Sequence, residues 1–418
     1  MSDKPFHRRD GVEIIDAVDR FVEYHDDFHE AVQADRKANG HQEWYSVDRG
    51  TFSEPILPAD ALEYLGAKRD KRSFAYGEEV GEARLRKQIA QLENLKHDTS
   101  YDESNIAMMP GAWAGLEFAI EQIMIADGGR INKKDAVLAI GPTLYQMFDR
   151  PIRRFGMNVI AHDYTMQGVE HTPTKENVDD MFREQPKIIV VTNPNNPDGV
   201  FVDNETLKVL IERAAEEGIY VIVDEIQNCF SREELRYGNW IQASHVLRVD
   251  SPAKRYSMAE YRQGWIIADS DLLGKRNRGI VGNMSGTMGN APRAGNTALL
   301  HVLRNETDVI RKGADSILAH THAELADKER SLVDKLKTIE GIARVMRRDA
   351  CINLAVQADF KGTDMELAKR LMQERTLMMP ASGYGYQPED SVLRITFSED
   401  MDYTNKAVEA LGKVLSKS

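Results

Sequence analysis

Apolar side chains recur at Val12, Ile15, Val18, Phe21, Val22, Phe28 and Val32. Those offsets lay an apolar stripe along an amphipathic helix over 11–38, which reads as a packing or oligomerisation arm. A stretch punctuated by glycine and proline follows, WYSVDRGTFSEPILP (44–58), and the helical period returns in EARLRKQIAQLENL from residue 82. Beyond it the pattern changes. Short continuous apolar runs, DAVLAIGP (135–142), PKIIVVTNP (186–194), GIYVIVDEI (218–226) and SHVLRVDSP (244–252), alternate with helical patterns such as LKVLIERAAEEG (207–218), where Gly218 is placed to cap the helix. GWIIADSDLL (264–273) offers one more strand. Strands apolar on both faces are covered on both faces, so the pattern predicts a mainly parallel sheet between helices. Residues 305–348 are charged and helical, and INLAVQ (352–357), a helix over 364–375 and SVLRITFS (391–398) predict a smaller α+β unit. The expected organisation is a helical arm with part of a small domain over 1–60, a large domain over 61–305 and a C-terminal small domain over 306–418. No internal repeat or low-complexity tract interrupts it.

Composition narrows the function. The 418 residues are 42% hydrophobic and 29% charged, which excludes a disordered chain and allows a sizeable core. The net charge of −13 argues against nucleic acid or an anionic membrane as partner, since both call for clustered positive charge. Cys229 and Cys351 are too few for a disulfide framework and lack metal-type spacing, so no metal is expected and a reducing cytoplasm is the simplest setting. The N-terminal MSDKPFHRRDGVEIIDAVDR is too polar for a secretory leader, and no run approaches the roughly 18 apolar residues that span a bilayer.

Ligands of open α/β sheets sit beyond the carboxyl ends of the strands, which singles out the polar residues there: Tyr145, Asn196, Asp224 and Lys254. Lys254 closes the string Ser251-Pro252-Ala253-Lys254. A serine nucleophile with a lysine base would need companion Ser-Asp-Asn and Lys-Thr-Gly elements, and neither tripeptide occurs. The other reading is a lysine that forms a Schiff base with a carbonyl cofactor. Asp224, ending VIVDE, supplies the acid that a pyridinium nitrogen needs, and Asn196, in Asn-Pro-Asn-Asn-Pro-Asp-Gly (193–199), supplies an amide donor for a phenolic oxygen.

These strings, with Arg262 eight residues after Lys254 and a late Leu-Arg-Ile carrying Arg394, resemble the class I/II aminotransferases, fold-type I pyridoxal-phosphate enzymes that include 1-aminocyclopropane-1-carboxylate synthases. The resemblance runs from about residue 45 to the C-terminus. It implies an α/β fold with a large domain built on a seven-stranded-type, mainly parallel sheet, and pyridoxal 5′-phosphate as cofactor. It also implies roles. Lys254 matches the Schiff-base lysine and proton shuttle, Asp224 the pyridinium partner and Asn196 the phenolate partner, with Asn196 also close to the substrate. Ser251 and Arg262 match phosphate ligands, and GAWAGLEFAI (111–120) the helix start whose Ala112 and Trp113 amides hold the phosphate. Tyr145 is the candidate to stack on the ring, and Arg394 matches the clamp on the substrate α-carboxylate. Tyr76, in SFAYGEEVGEARLR, resembles the tyrosine that reaches the phosphate of a neighbouring subunit, which implies a homodimer.

The chain departs from the family pattern at Gln227, a cofactor-binding candidate that can donate one hydrogen bond but cannot titrate where most relatives have a tyrosine, and at Ala253, often a second phosphate-binding serine. SGTMGNAPRAG (285–295) places no arginine in register for a side-chain carboxylate, Arg293 being offset. The expectation is therefore an aminotransferase acting at Cα of a non-acidic or basic amino acid. The same residues also suit β- or γ-elimination, replacement or cyclisation, with S-adenosylmethionine among the possible substrates, or amino-acid oxidation. A cofactor-binding regulator would carry a helix-turn-helix ahead of this region, and the 44 preceding residues are too few and too acidic.

Overall fold

The computed structural model describes residues 5–48, 52, 56–57, 77–126, 135–165, 171–232, 235–274, 279–293 and 295–417. The larger sheet contains β1 (His7–Arg9), β3 (Ile106–Met109), β4 (Ala136–Gly141), β5 (Asn158–Asp163), β6 (Pro186–Thr192), β7 (Tyr220–Asp224), β8 (Val246–Asp250) and β9 (Gly264–Ala268). Its order is β1-β5-β4-β6-β7-β8-β9-β3. Strands β5, β4, β6, β7 and β8 are mutually parallel, β9 runs against β8 and β3, and β1 runs against β5. The sheet is thus mainly parallel, as the apolar runs predict. It has eight described strands rather than seven, because the three residues His7–Arg9 add an edge strand ahead of the N-terminal helix.

That helix spans Gly11–Asn39, started by a capping box in which Asp10 accepts from the amides of Val12 and Glu13 while Glu13 accepts from the amide of Asp10. The helix predicted from residue 207 runs Asn204–Glu217 and ends at Gly218, whose φ of +68° only glycine adopts freely. The predicted 264–273 strand stops at Ala268, where Asp269 caps a short helix, Ser270–Leu273. KLKTIEGIARV ends as a strand, β10 (Ile342–Val345), not as helix.

The smaller sheet is antiparallel, in the order β10-β11-β14-β13, with β11 at Asn353–Ala358, β13 at Met379–Pro380 and β14 at Val392–Thr396. A two-stranded ladder pairs β2 (Tyr45–Ser46) with β12 (Thr376–Leu377).

Topology puts the chemistry at one end. The parallel strands β4, β6, β7 and β8 finish on the same side, and β3, antiparallel to β9, finishes there too. Because β9 runs the other way, it begins there. Register makes this concrete: Met109 pairs with Gly264, Asp250 with Trp265 and Thr192 with Asp224.

Candidate active site

A cavity of about 470 Å³ lies over that end of the sheet. Its lining includes Lys254, Asp224, Asn196, Gln227, Ser251, Ala112, Trp113, Arg262 and Arg394, nine of the residues singled out from sequence. Sequence separations of up to some 280 residues collapse here because all but Arg394 sit near a strand end at this side of the large sheet, and Arg394 reaches in from the middle of β14.

Lys254 lies in the single-turn helix Pro252–Arg255, whose start is capped by Ser251: its Oγ accepts from the Ala253 amide at 3.0 Å. Burial, with Arg394 and then Arg262 contributing positive charge, lowers the lysine pKa to about 8. Asp224 is buried, and desolvation raises its pKa to about 7 despite a hydrogen bond from the Ile226 amide at 3.1 Å. Among the described residues no cationic side chain pairs with it. Gln227 is buried beside it with Oε1 unpartnered.

Arg394 comes from β14, held between β11 and β13 in register with Ala355 and Met379. Its guanidinium donates to the Asp48 carbonyl and, at 3.4 Å, to Asn196 Oδ1, and lies 5.2 Å from the Tyr384 ring centroid. Its Nε is buried without a partner. At the far end the helix Ala112–Ala126 begins directly after Gly111. A Cβ at Gly111 would lie 2.8 Å from Arg262 Nη2, and one at Gly264 would lie 2.6 Å from the Ala112 nitrogen. Two glycines therefore let an arginine fork and a helix N-terminus converge, an arrangement suited to an anion.

One expectation is overturned. Tyr145 does not face the cavity: it is fully buried, and its hydroxyl donates to Asp163, which also pairs with Arg9 at 2.7 Å. The short turn after β4 rotates Tyr145 towards the sheet edge, where a buried carboxylate requires donors, and presents Thr143, Leu144 and Met147 to the cavity instead. Tyr76 lies outside the described residues. The sequence reading missed Phe21, His25, Asp48, Thr192 and Tyr384 in the lining. Phe21 belongs to the apolar stripe assigned to packing, and His25, one turn on, lies outside that stripe, so the pattern of apolar positions did not point to the pair.

Residues 49–411 match the family model for aminotransferase class I and II. The chain belongs to that family. Curated relatives are distant. The chain is 21% identical over 359 residues to the aspartate aminotransferase of Bacillus subtilis, covering 81% of this chain and 82% of that protein. It is 24% identical over 355 residues to the (5-formylfuran-3-yl)methyl phosphate transaminase of Methanocaldococcus jannaschii, covering 82% and 84%. Among solved structures, the aspartate aminotransferase from Thermus thermophilus with maleate superposes with a TM-score of 0.78 at 18% identity, covering 94% of this chain and 96% of that one. An aminotransferase from Mycobacterium tuberculosis gives the same TM-score and coverage at 19% identity. At these identities the structural likeness speaks for the fold.

Class I and II aminotransferases use pyridoxal 5′-phosphate, so this family member is a pyridoxal-phosphate enzyme. The residues present fit the group. Asp224 is a buried carboxylate lacking a described counter-charge, Gln227 Oε1 and Arg394 Nε are buried and unpartnered, and the Gly111–Gly264 cradle would be filled by any Cβ. No helix among the described residues is long and apolar enough to cross a membrane, and no described cluster of His, Cys, Asp or Glu could hold a metal ion.

Proposed function

We propose that the chain transfers the amino group of a non-acidic amino acid to a keto acid, working as a homodimer in which Tyr76 reaches the neighbouring site. The observation that carries this is the placement of charge in the cavity. Lys254, Arg262 and Arg394 are its lysine and arginines among the described residues, and each matches a role that leaves it unavailable to a side-chain carboxylate: the covalent amine, the phosphate and the α-carboxylate.

Bound at Lys254, pyridoxal phosphate supplies an electron sink for negative charge at the substrate Cα. The chain does the rest. Lys254 would hold the group, and its Nζ, with a pKa near 8, would accept and return a proton at the substrate Cα. Asp224 would keep a proton on the ring nitrogen, and Asn196 and Gln227 would offer their amides to the phenolic oxygen. Gly111, the Ala112 and Trp113 amides, Ser251 and Arg262 would hold the phosphate. Arg394 fixes the α-carboxylate, which orients the Cα–H bond, and the apolar lining (Leu116, Leu144, Met147, Ile226, Met379) excludes water.

Mixing the holoenzyme in single turnover with a panel of amino acids and with S-adenosylmethionine tests the reaction. A transaminase releases keto acid equal to the enzyme present and keeps the nitrogen until a second keto acid is added. Release of ammonia, peroxide or methylthioadenosine would replace this reading with elimination, oxidation or cyclisation.

A further inference from the structure

We propose that Phe21 and His25, on the N-terminal helix, form the side-chain subsite of the cavity and select an amino acid with a bulky apolar or aromatic side chain. The inference rests on the reading of the site as that of an aminotransferase for a non-acidic amino acid.

The two residues stand one turn apart and both line the cavity. They are linked to the carboxylate clamp by a run of rings. Arg394 lies 5.2 Å from the centroid of Tyr384, Phe21 meets Tyr384 edge-on at 6.0 Å, and His25 meets Phe21 edge-on at 4.8 Å. A substrate with its carboxylate on Arg394 therefore has an aromatic wall alongside it, leading to the helix. Gly383 makes room for that wall, since a Cβ there would come within 3.0 Å of the Phe21 ring. Leu144 and Phe21 pack against the same apolar cluster, which contains Met379 and Tyr384. The subsite is held in place: β1, directly ahead of the helix, is tied to β5 by Arg9 on Asp163, and the helix itself to the helix Asp364–Gln373 by Lys369, 2.8 Å from Glu23 and 2.9 Å from Asp27.

Charge supports the same class. The cavity-lining carboxylate on this side, Asp48, is buried and accepts from Ser46 Oγ at 2.5 Å, while its carbonyl receives Arg394. Burial, opposed by Asp48, lowers the His25 pKa and so favours the neutral imidazole. The rings of Phe21, Tyr384 and His25 make a polarisable wall that favours an aromatic or large aliphatic group over an ionic one.

Calorimetric titration of the holoenzyme with four carboxylates lacking an α-amine tests this: 3-phenylpropanoate, succinate, 5-aminopentanoate and propanoate. We expect 3-phenylpropanoate to bind at least tenfold more tightly than succinate or 5-aminopentanoate. Phe21→Ala should weaken 3-phenylpropanoate at least tenfold and propanoate less than threefold, and Phe21→Leu should recover most of the loss. Tightest binding of 5-aminopentanoate would overturn the apolar class and leave the non-acidic reading standing. Tightest binding of succinate would overturn both. Equal weakening of 3-phenylpropanoate and propanoate by Phe21→Ala, or no weakening, would overturn the subsite alone.

Discussion

Burial sets the protonation of Lys254, and with it the pH at which the site is competent. The pKa of about 8 instead of 10.5 makes half of the amines neutral near pH 8. Capture of added pyridoxal phosphate by the cofactor-free protein should therefore rise with a midpoint near pH 8, measurable by stopped-flow absorbance; a midpoint near 10 would mean the amine is solvated. The same shift has a stability consequence. Between pH 8 and 10.5 the folded chain has released a proton that the unfolded chain still holds, so unfolding free energy increases with pH across that window. Relative to Lys254→Met, the cofactor-free wild type should gain stability from pH 8 to 10.5 in urea titrations. At the other end of the substrate, Arg394→Ala should raise KM for the amino acid by the equivalent of about 2–5 kcal/mol, the cost of losing a buried charged hydrogen-bond partner, with cofactor affinity little changed. Lys254, Asp224, Asn196 and Arg394 were legible in the sequence because each follows or lies within an apolar strand, where side-chain chemistry is fixed by the backbone. Tyr145 was not. One residue of turn rotation decides between cavity and core, and the need of buried Asp163 for donors settled it.

At the scale of elements, the site depends on how closely β3 and β9 approach. Gly264→Ala would drive a methyl to 2.5 Å from the Gly111 carbonyl carbon. Overpacking of this kind costs about 1–3 kcal/mol, and it would also part the helix start from Arg262. Both a lower urea midpoint and weaker phosphate and cofactor binding are expected, whereas a change in stability alone would place the phosphate elsewhere. Strand β1 and its helix form the second dependence. Arg9 donates to Asp163 at 2.7 Å and to the Gly385 carbonyl at 3.0 Å, joining the N-terminus, the large sheet and the turn before β14. Arg9→Met leaves Asp163 buried without its cation, a loss of about 3–5 kcal/mol that equilibrium unfolding would register. The parallel strands were readable because they are continuous apolar runs, and the 29-residue helix because it carries an apolar stripe. Strands β1 and β3, of three and four residues, are too short to display a period, and β5, NVIAHD, ends in a histidine and an aspartate that conceal its burial.

At the scale of the molecule, the cavity is assembled from three bodies: the carboxyl end of the large sheet, β14 of the smaller sheet and the N-terminal helix. None supplies a complete site, which is why periodicity alone could not foresee the wall formed by Phe21, His25 and Tyr384. If the neighbouring subunit contributes Tyr76, sedimentation should show a dimer at working concentrations, and Tyr76→Phe should raise the cofactor dissociation constant while leaving the dimer intact. A fully active monomer would contradict that. The whole account turns on which side chain takes the cofactor. Borohydride reduction of the reconstituted protein followed by peptide mass mapping answers this directly. The account predicts one pyridoxyl-phosphate label per chain, on the peptide containing Lys254 and abolished by Lys254→Ala. A colourless protein that gains no label, or a label on another lysine, would contradict it.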